Sequence, residues 1–147
     1  MAGQLWWYAV PYRPDAQAAL DALRDREFRA GRYFPAIESP SFPVTPSSPA
    51  PGAQHSSIDE AIAAAEETGT RSILDFEEIA TADDDWGIRA FSADRLLQLF
   101  GTAQPTLAQV EGHQALTEWI GRGEGYVITT YHAGQPDSLY FVGSSFD

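Results

Sequence analysis

The segment GYVITTYHAGQPDSLYFVG, residues 125–143, is the most informative part of the sequence about the architecture. Two apolar runs rich in β-branched and aromatic residues flank the polar stretch HAGQPD, whose glycine and proline are typical of a turn. The segment therefore predicts a C-terminal β-hairpin. A similar run near the other end of the chain, LWWYAV at residues 5–10, predicts a strand that ends at Pro11.

Four segments between these strands predict helices, because each has a polar cap at its start or a glycine at its end. They are residues 14–31, 56–69, 92–101 and 105–121, the last with Gly112 as an internal weak point. The apolar run RSILDFEEI, residues 71–79, predicts a further strand. This order predicts an α+β protein: a single domain over residues 1–147, with a small mixed or antiparallel sheet and about four helices packed on it.

Residues 35–54 form a stretch rich in proline and serine. Six of the ten prolines lie between Pro35 and Pro51, which excludes a helix or a central strand there. Large apolar side chains are interspersed with these prolines and just before them: Tyr33, Phe34, Ile37, Phe42 and Val44. A pure linker rarely contains so many. We therefore expect a surface loop within one domain, with its first half packed on that domain.

The charge balance is strongly acidic. The 147 residues include 21 acidic and 9 basic side chains, which gives a formal net charge of −12. Such a surface repels phosphate backbones, so we predict no nucleic-acid partner. The same field attracts a basic protein or a cationic ligand, although an acidic surface also commonly serves solubility alone.

The chain contains no cysteine, so disulfides, thiolate nucleophiles and cysteine-ligated metals are excluded. No apolar run approaches the ~20 residues that span a bilayer. The first residues also lack the basic and apolar regions of a signal peptide. We expect a cytoplasmic protein without a membrane partner.

No motif fixes a reaction. The three histidines, His55, His113 and His132, match no metal-binding spacing. There is no Gly-x-Ser-x-Gly elbow, and GRGEG at residues 121–125 lacks the Gly-Lys-Ser/Thr ending of a phosphate loop. We predict no metal and no cofactor, and an enzyme is the less favoured class.

The acidic run Asp83, Asp84 and Asp85 precedes Trp86. Its acids do not alternate as in an EF-hand calcium loop. An acidic loop around one aromatic side chain can hold a basic partner by charge and by one anchor, which makes these four residues the candidate partner-binding site. The alternative is a solvated loop with Trp86 anchored in the core.

A second group of candidates flanks the proline-rich stretch. It consists of residues at the end of the first strand, after the first helix and before the second helix: Tyr12, Arg13, Arg32, Tyr33 and His55. We predict these as ligand-binding residues. The alternative is that the arginines pair with surface acids and the tyrosines are half-buried packing residues.

The elements PYR, GRYFP and QHSSIDEAIAAAEE, which carry these candidates, are similar to the front half of ADP-ribosyltransferase-like domains. The resemblance covers about the first 70 residues. It implies that Arg13 grips a dinucleotide and that Glu124 is the late acid that orients the ribose. Glu124 lies in a glycine-rich turn, which is only roughly the expected place.

The pattern as a whole, from WWYAVPYRPD to FVGSSFD, resembles a family of small bacterial proteins to which no activity is assigned. The favoured hypothesis is a non-enzymatic module that binds a basic protein, as small acidic immunity-type proteins do. The alternative is a nucleotide- or NAD-binding enzyme of the ADP-ribosyltransferase-like type. The apolar C-terminal hairpin could pair edge to edge with a second copy, so both a monomer and a homodimer are open.

Overall fold

The two ends of the chain meet in one four-stranded sheet. The structure, a computed structural model, describes residues 4–37, 43–81 and 86–145. Within these ranges it contains four strands, five α-helices and one 3-10 turn. In chain order they are β1 Leu5–Pro11, α1 Ala16–Ala30, α2 Ile58–Ala64, the 3-10 turn Ile73–Asp75, β2 Arg89–Ala90, α3 Ala93–Phe100, α4 Leu107–Glu111, α5 Gln114–Trp119, β3 Gly125–His132 and β4 Gln135–Ser144. The predicted α+β class, the single domain and the C-terminal hairpin are confirmed.

The strand order is β1-β4-β3-β2, with β2 parallel to β3 and the other pairs antiparallel, so the sheet is mixed. The hairpin turns at Ala133 and Gly134, whose φ angles of 50° and 78° are those of the tight turn that suits strand twist. β4 lies between β1 and β3, so both of its edges are paired within the chain.

Both faces of the sheet are covered, and the alternation of side chains along the strands produces two cores. Trp6 and Tyr8 of β1 lie on the face that also carries Phe141 of β4, and α1 packs there through Leu20 and Leu23. The opposite core, against α3, α4 and α5, contains Tyr126, Ile128, Tyr140, Val142, Val110, Leu116 and Ile120. Burial on both faces explains why the strands read as nearly continuous apolar runs.

The strand predicted over residues 71–79 is wrong. Ser72 accepts a hydrogen bond from the Leu74 amide and starts the 3-10 turn Ile73–Asp75, while Phe76 follows in extended conformation. Ile73, Leu74 and Phe76 are buried as predicted for an apolar run, but they are buried without forming a strand. A short apolar run specifies burial better than it specifies the backbone conformation.

Two predicted helices are shorter than expected. The helix predicted over 56–69 ends at Ala64. The helix predicted over 105–121 is interrupted, because α4 ends at Glu111 and α5 begins at Gln114, on either side of Gly112 and His113. Gly112 is therefore the break that its low helix propensity indicated.

The proline-rich stretch contacts the edge of the sheet and the end of α1. Val44 exchanges two backbone hydrogen bonds with β1, to Leu5 and from Trp7, at 2.9 and 3.0 Å. The Gly52 amide donates to the Ala30 carbonyl at 2.9 Å. The prediction for Phe42 lies outside the described residues.

We predict that Gly31→Ala destabilises the protein much more than Gly101→Ala does. Both glycines end a helix in the left-handed region, with φ of 75° and 74°. That conformation costs a residue with a Cβ about 1 kcal/mol. A Cβ on Gly31 would also lie 2.2 Å from the Gly52 carbonyl oxygen, whereas a Cβ on Gly101 meets nothing within 4 Å.

Urea unfolding measures the difference. We expect a loss of about 1 kcal/mol for Gly101→Ala and about 3 kcal/mol for Gly31→Ala, since the second variant must also displace the backbone at Gly52. Equal losses would show that the loop after the proline-rich stretch is not held against α1.

Candidate functional site

An acidic pocket of about 550 Å³ lies after the 3-10 turn. The segment after Phe76 pairs in parallel with the segment before β2. The Ala80 amide donates to the Ile88 carbonyl at 2.8 Å, and the Ile88 amide donates to the Glu78 carbonyl at 2.9 Å. This pairing closes the loop that contains Trp86. The pocket is lined by Asp75, Glu77, Glu78, Ile79, Ala80, Thr81 and Trp86. We refer to it as the acidic pocket.

Trp86 combines a fixed position with a large exposed surface. Its ring stacks on Phe76 at 5.0 Å between centroids with an interplanar angle of 11°. Phe76 is buried and contacts Trp6, with 5.7 Å between the ring centroids. Trp86 itself remains 55% exposed. The core therefore supports the ring from one side without enclosing it.

Asp75 places a carboxyl at the inner end of the acidic pocket. Its Oδ1 accepts hydrogen bonds from the Thr70 amide at 2.7 Å and the Thr70 hydroxyl at 2.8 Å. Burial raises the pKa of this carboxyl, while the hydrogen bonds from Thr70 and the charge of Arg24 oppose the rise. Asp75 is therefore protonated at a higher pH than an exposed aspartate, and a cation in the pocket would favour its charged form.

Of the four predicted partner-binding residues, the structure describes Trp86 and places it in the wall of the acidic pocket. The predictions for Asp83, Asp84 and Asp85 lie outside the described residues. Asp75, Glu77 and Glu78 belong to this surface although they were not among the predicted partner-binding residues. The signal was available in the acidic side chains that directly follow the apolar run.

Three of the predicted ligand-binding residues come together near the C-terminal end of α1. The Tyr33 hydroxyl lies 2.8 Å from His55 Nδ1 and accepts a hydrogen bond from the Gln54 amide at 3.2 Å. Arg32 donates twice to Glu27, at 2.8 and 3.1 Å. Tyr33 is buried, which makes it a packing and anchoring residue for the loop.

Tyr12 and Arg13 lie elsewhere, exposed after β1, and Arg13 lines a separate small pocket with Arg26. Glu124, the residue matched to the late acid, accepts a hydrogen bond from the Gly121 amide at 2.5 Å and so closes its own turn. The structure thus brings Arg32, Tyr33 and His55 together and leaves the other candidates at different places.

Sequence reasoning missed Glu27, a fully buried carboxylate. It accepts a hydrogen bond from Arg26 Nε at 2.9 Å in addition to the two from Arg32. Tyr8 is close enough that burial and the charge of Glu27 both raise its pKa. The signal was positional, since Glu27 stands four residues after Leu23 in the buried stripe of α1, where an apolar residue is expected.

Comparison with known proteins finds no family model, no curated protein and no solved structure that matches the chain. The two resemblances drawn from the sequence therefore stay predictions. Among residues 4–37, 43–81 and 86–145, no group of three or more histidine and acidic side chains is placed to hold a metal ion. In the same ranges no helix has the length and apolar character needed to cross a bilayer.

We predict that Glu27→Ala destabilises the protein by about 3 kcal/mol, because it leaves the largely buried guanidinium of Arg32 without its carboxylate and also removes the partner of the exposed Arg26. Asp25→Ala is the matched control on the same helix. Asp25 forms an exposed pair with Arg29 at 3.1 Å, and such pairs contribute less than about 1 kcal/mol. Chemical unfolding of both variants tests the difference, and similar losses would contradict a structural role for the buried carboxylate.

Proposed function

We propose that the protein is a binding module, without catalytic activity, for a basic segment of a partner protein, and that the acidic pocket receives an arginine or lysine side chain of that segment. The observation that carries the proposal is the exposed ring of Trp86 in one pocket with the carboxyl groups of Asp75, Glu77 and Glu78.

An aromatic face and nearby carboxylates are complementary to a cation in two ways. A guanidinium group stacks on an indole through cation–π attraction worth about 0.5–2 kcal/mol. Carboxylates accept its N–H groups in charge-assisted hydrogen bonds. The net charge of −12 adds a long-range field that raises the association rate of a basic partner.

The molecule already contains one pairing of this kind. Arg95 places its guanidinium carbon 4.2 Å from the centroid of the Trp119 ring, on the opposite face of the sheet. Trp119 is 38% exposed, less than Trp86. The Arg95–Trp119 contact is the intramolecular equivalent of what we propose for Trp86 and a partner side chain.

The alternative function, a nucleotide- or NAD-binding enzyme, requires Arg13, Arg32 and His55 to converge on one ligand. Arg32 is engaged by the buried Glu27, and His55 is engaged by Tyr33. Arg13 lines a different pocket. The geometry therefore supports this function less than it supports a basic partner.

We predict that Trp86→Ala weakens binding of a tetra-arginine peptide by about tenfold, which corresponds to ~1.4 kcal/mol and lies within the range of a cation–π contact. Trp119→Ala is the matched control, an exposed tryptophan whose removal leaves the affinity within about twofold. Isothermal titration calorimetry at low salt measures both. Equal affinities for the two variants, or no binding by the wild type, would refute the proposed site.

A charge variant separates the contribution of the carboxylates from that of the Trp86 ring. In Glu77→Gln/Glu78→Gln the ring is kept and two carboxylates are removed, so the affinity falls and its dependence on salt becomes weaker. An unchanged salt dependence would mean that the peptide contacts a different acidic surface.

We further predict that Asp75 makes this binding depend on pH. Because burial raises the pKa of Asp75, the carboxyl keeps its proton to a higher pH than an exposed aspartate does, and it gains its charge as the pH rises further. The affinity for tetra-arginine therefore increases with pH, and Asp75→Asn lacks this part of the increase. Peptide titrations of the wild type and of Asp75→Asn between about pH 4 and 7 test this prediction. The other acids of the pocket contribute equally to the pH dependence of both proteins. Parallel pH profiles would contradict a role for Asp75.

A further inference from the structure

A second pocket, of about 170 Å³, lies between the end of β1 and the neighbouring side of α1. Its wall is made of apolar side chains from the strand end and from two turns of the helix: Val10, Pro11, Ala19, Ala22 and Leu23. The other two lining residues are Arg13 and Arg26. An apolar wall bordered by two guanidinium groups is unusual on a protein whose net charge is −12. We refer to it as the arginine pocket.

Arg26 is an exposed residue whose guanidinium is anchored on a buried carboxylate. Its Nε donates to the buried carboxylate of Glu27 at 2.9 Å, and the same carboxylate accepts two hydrogen bonds from Arg32. One carboxylate faces two guanidinium groups, so this cluster has one unit of positive charge in excess. Because its Nε is already held, this guanidinium loses little additional conformational freedom when its terminal N–H groups bind an anion.

Apart from Glu27, which pairs with Arg26, the acids Asp21 and Asp25 of α1 have partners other than the arginines of the pocket. Asp21 accepts a hydrogen bond from Gln17 at 3.0 Å, and Asp25 pairs with Arg29 at 3.1 Å. Within the described ranges, no carboxylate forms an ion pair with Arg13. The excess positive charge of the cluster and the charge of Arg13 are therefore both available to a ligand.

We propose that the arginine pocket binds a small carboxylic acid with a short hydrocarbon body. Its carboxylate lies between the guanidinium groups of Arg13 and Arg26, which offer paired N–H donors, and its hydrocarbon chain lies against Val10, Ala19 and Leu23. The volume equals that of five or six water molecules at roughly 30 Å³ each, below the ~300 Å³ at which sites for drug-sized ligands begin. This function goes beyond the proposed partner binding, since it uses different residues and the opposite charge.

The size and chemistry of the pocket set the choice of probe. Hexanoate supplies one carboxylate and a short chain, hexanol supplies the chain alone, and inorganic phosphate supplies the anion alone. We expect amide and arginine Nε–H shifts around Val10, Ala22 and Arg26 in an NMR titration of the labelled protein with millimolar hexanoate. Hexanol or phosphate at the same concentration produces shifts that are at least about tenfold smaller, because each probe lacks one of the two contacts.

Two kinds of variant locate the site. Arg13→Gln removes an exposed guanidinium and weakens hexanoate binding by about tenfold or more, while Arg29→Gln, which removes an exposed guanidinium from α1, leaves it unchanged. Ala22→Leu fills the pocket from an exposed helix position where the fold tolerates a larger side chain, and it abolishes the shifts.

The outcomes divide clearly. Three results together support the proposal: hexanoate shifts that map to this pocket, affinity about tenfold or more weaker in Arg13→Gln, and loss of the shifts in Ala22→Leu. It is overturned by the absence of shifts at millimolar hexanoate, by equal responses to phosphate, which would indicate simple anion binding, or by shifts that persist in Ala22→Leu. Because Trp86→Ala leaves the arginine pocket intact, that variant retains hexanoate binding whether or not the partner site exists.

Discussion

Two facing glycines are the constraint on which the sheet and the acidic pocket depend. Gly125 of β3 and Gly143 of β4 are register partners in the hairpin. A Cβ on Gly143 would lie 2.4 Å from the Trp6 ring, and one on Gly125 would lie 2.6 Å from Ile88 and 3.2 Å from Phe76. The gap they leave admits the row of rings from Trp6 through Phe76, and this row supports Trp86 at the surface. The position of the exposed Trp86 therefore depends on the close packing at Gly125 and Gly143.

The ion cluster around the buried Glu27 has the corresponding role near the C-terminal end of α1. A carboxylate without solvent is stable only if its hydrogen bonds are made, and here Arg26 and Arg32 make them. Arg32 begins the loop that follows α1, so the cluster fixes the departure of that loop from the helix. The close approach of Gly31 to Gly52, which leaves no room for a Cβ at residue 31, fixes the same departure sterically. Charge pairing and close backbone approach therefore act together where the proline-rich stretch returns to the domain.

The parts of the fold that the sequence predicted are those whose signals are local. The terminal strands, the hairpin and α1 have composition and caps that act over a few residues. The turn at Ile73–Asp75 was missed because its apolar side chains show that the segment is buried, while Ser72 decides the backbone. Glu27 was missed because its role depends on Arg32, which the helix end brings back to it. Trp86 was recognised from its acidic neighbours, but its support by Phe76 is a tertiary contact that no spacing reveals.

The two pockets follow from one property of a strongly acidic chain with few cations. The chain has nine arginines and 21 acids, so most arginines can find a carboxylate on the surface. Two arginines lie together only where other contacts hold them there. Arg95 is placed on Trp119 and Arg32 on Glu27, while Arg13 borders an apolar wall together with Arg26, which also binds Glu27. The described residues around Trp86 have the converse arrangement, because those that line their pocket combine three carboxyl groups with an indole. The acidic pocket is therefore suited to a cation, and the arginine pocket is suited to an anion.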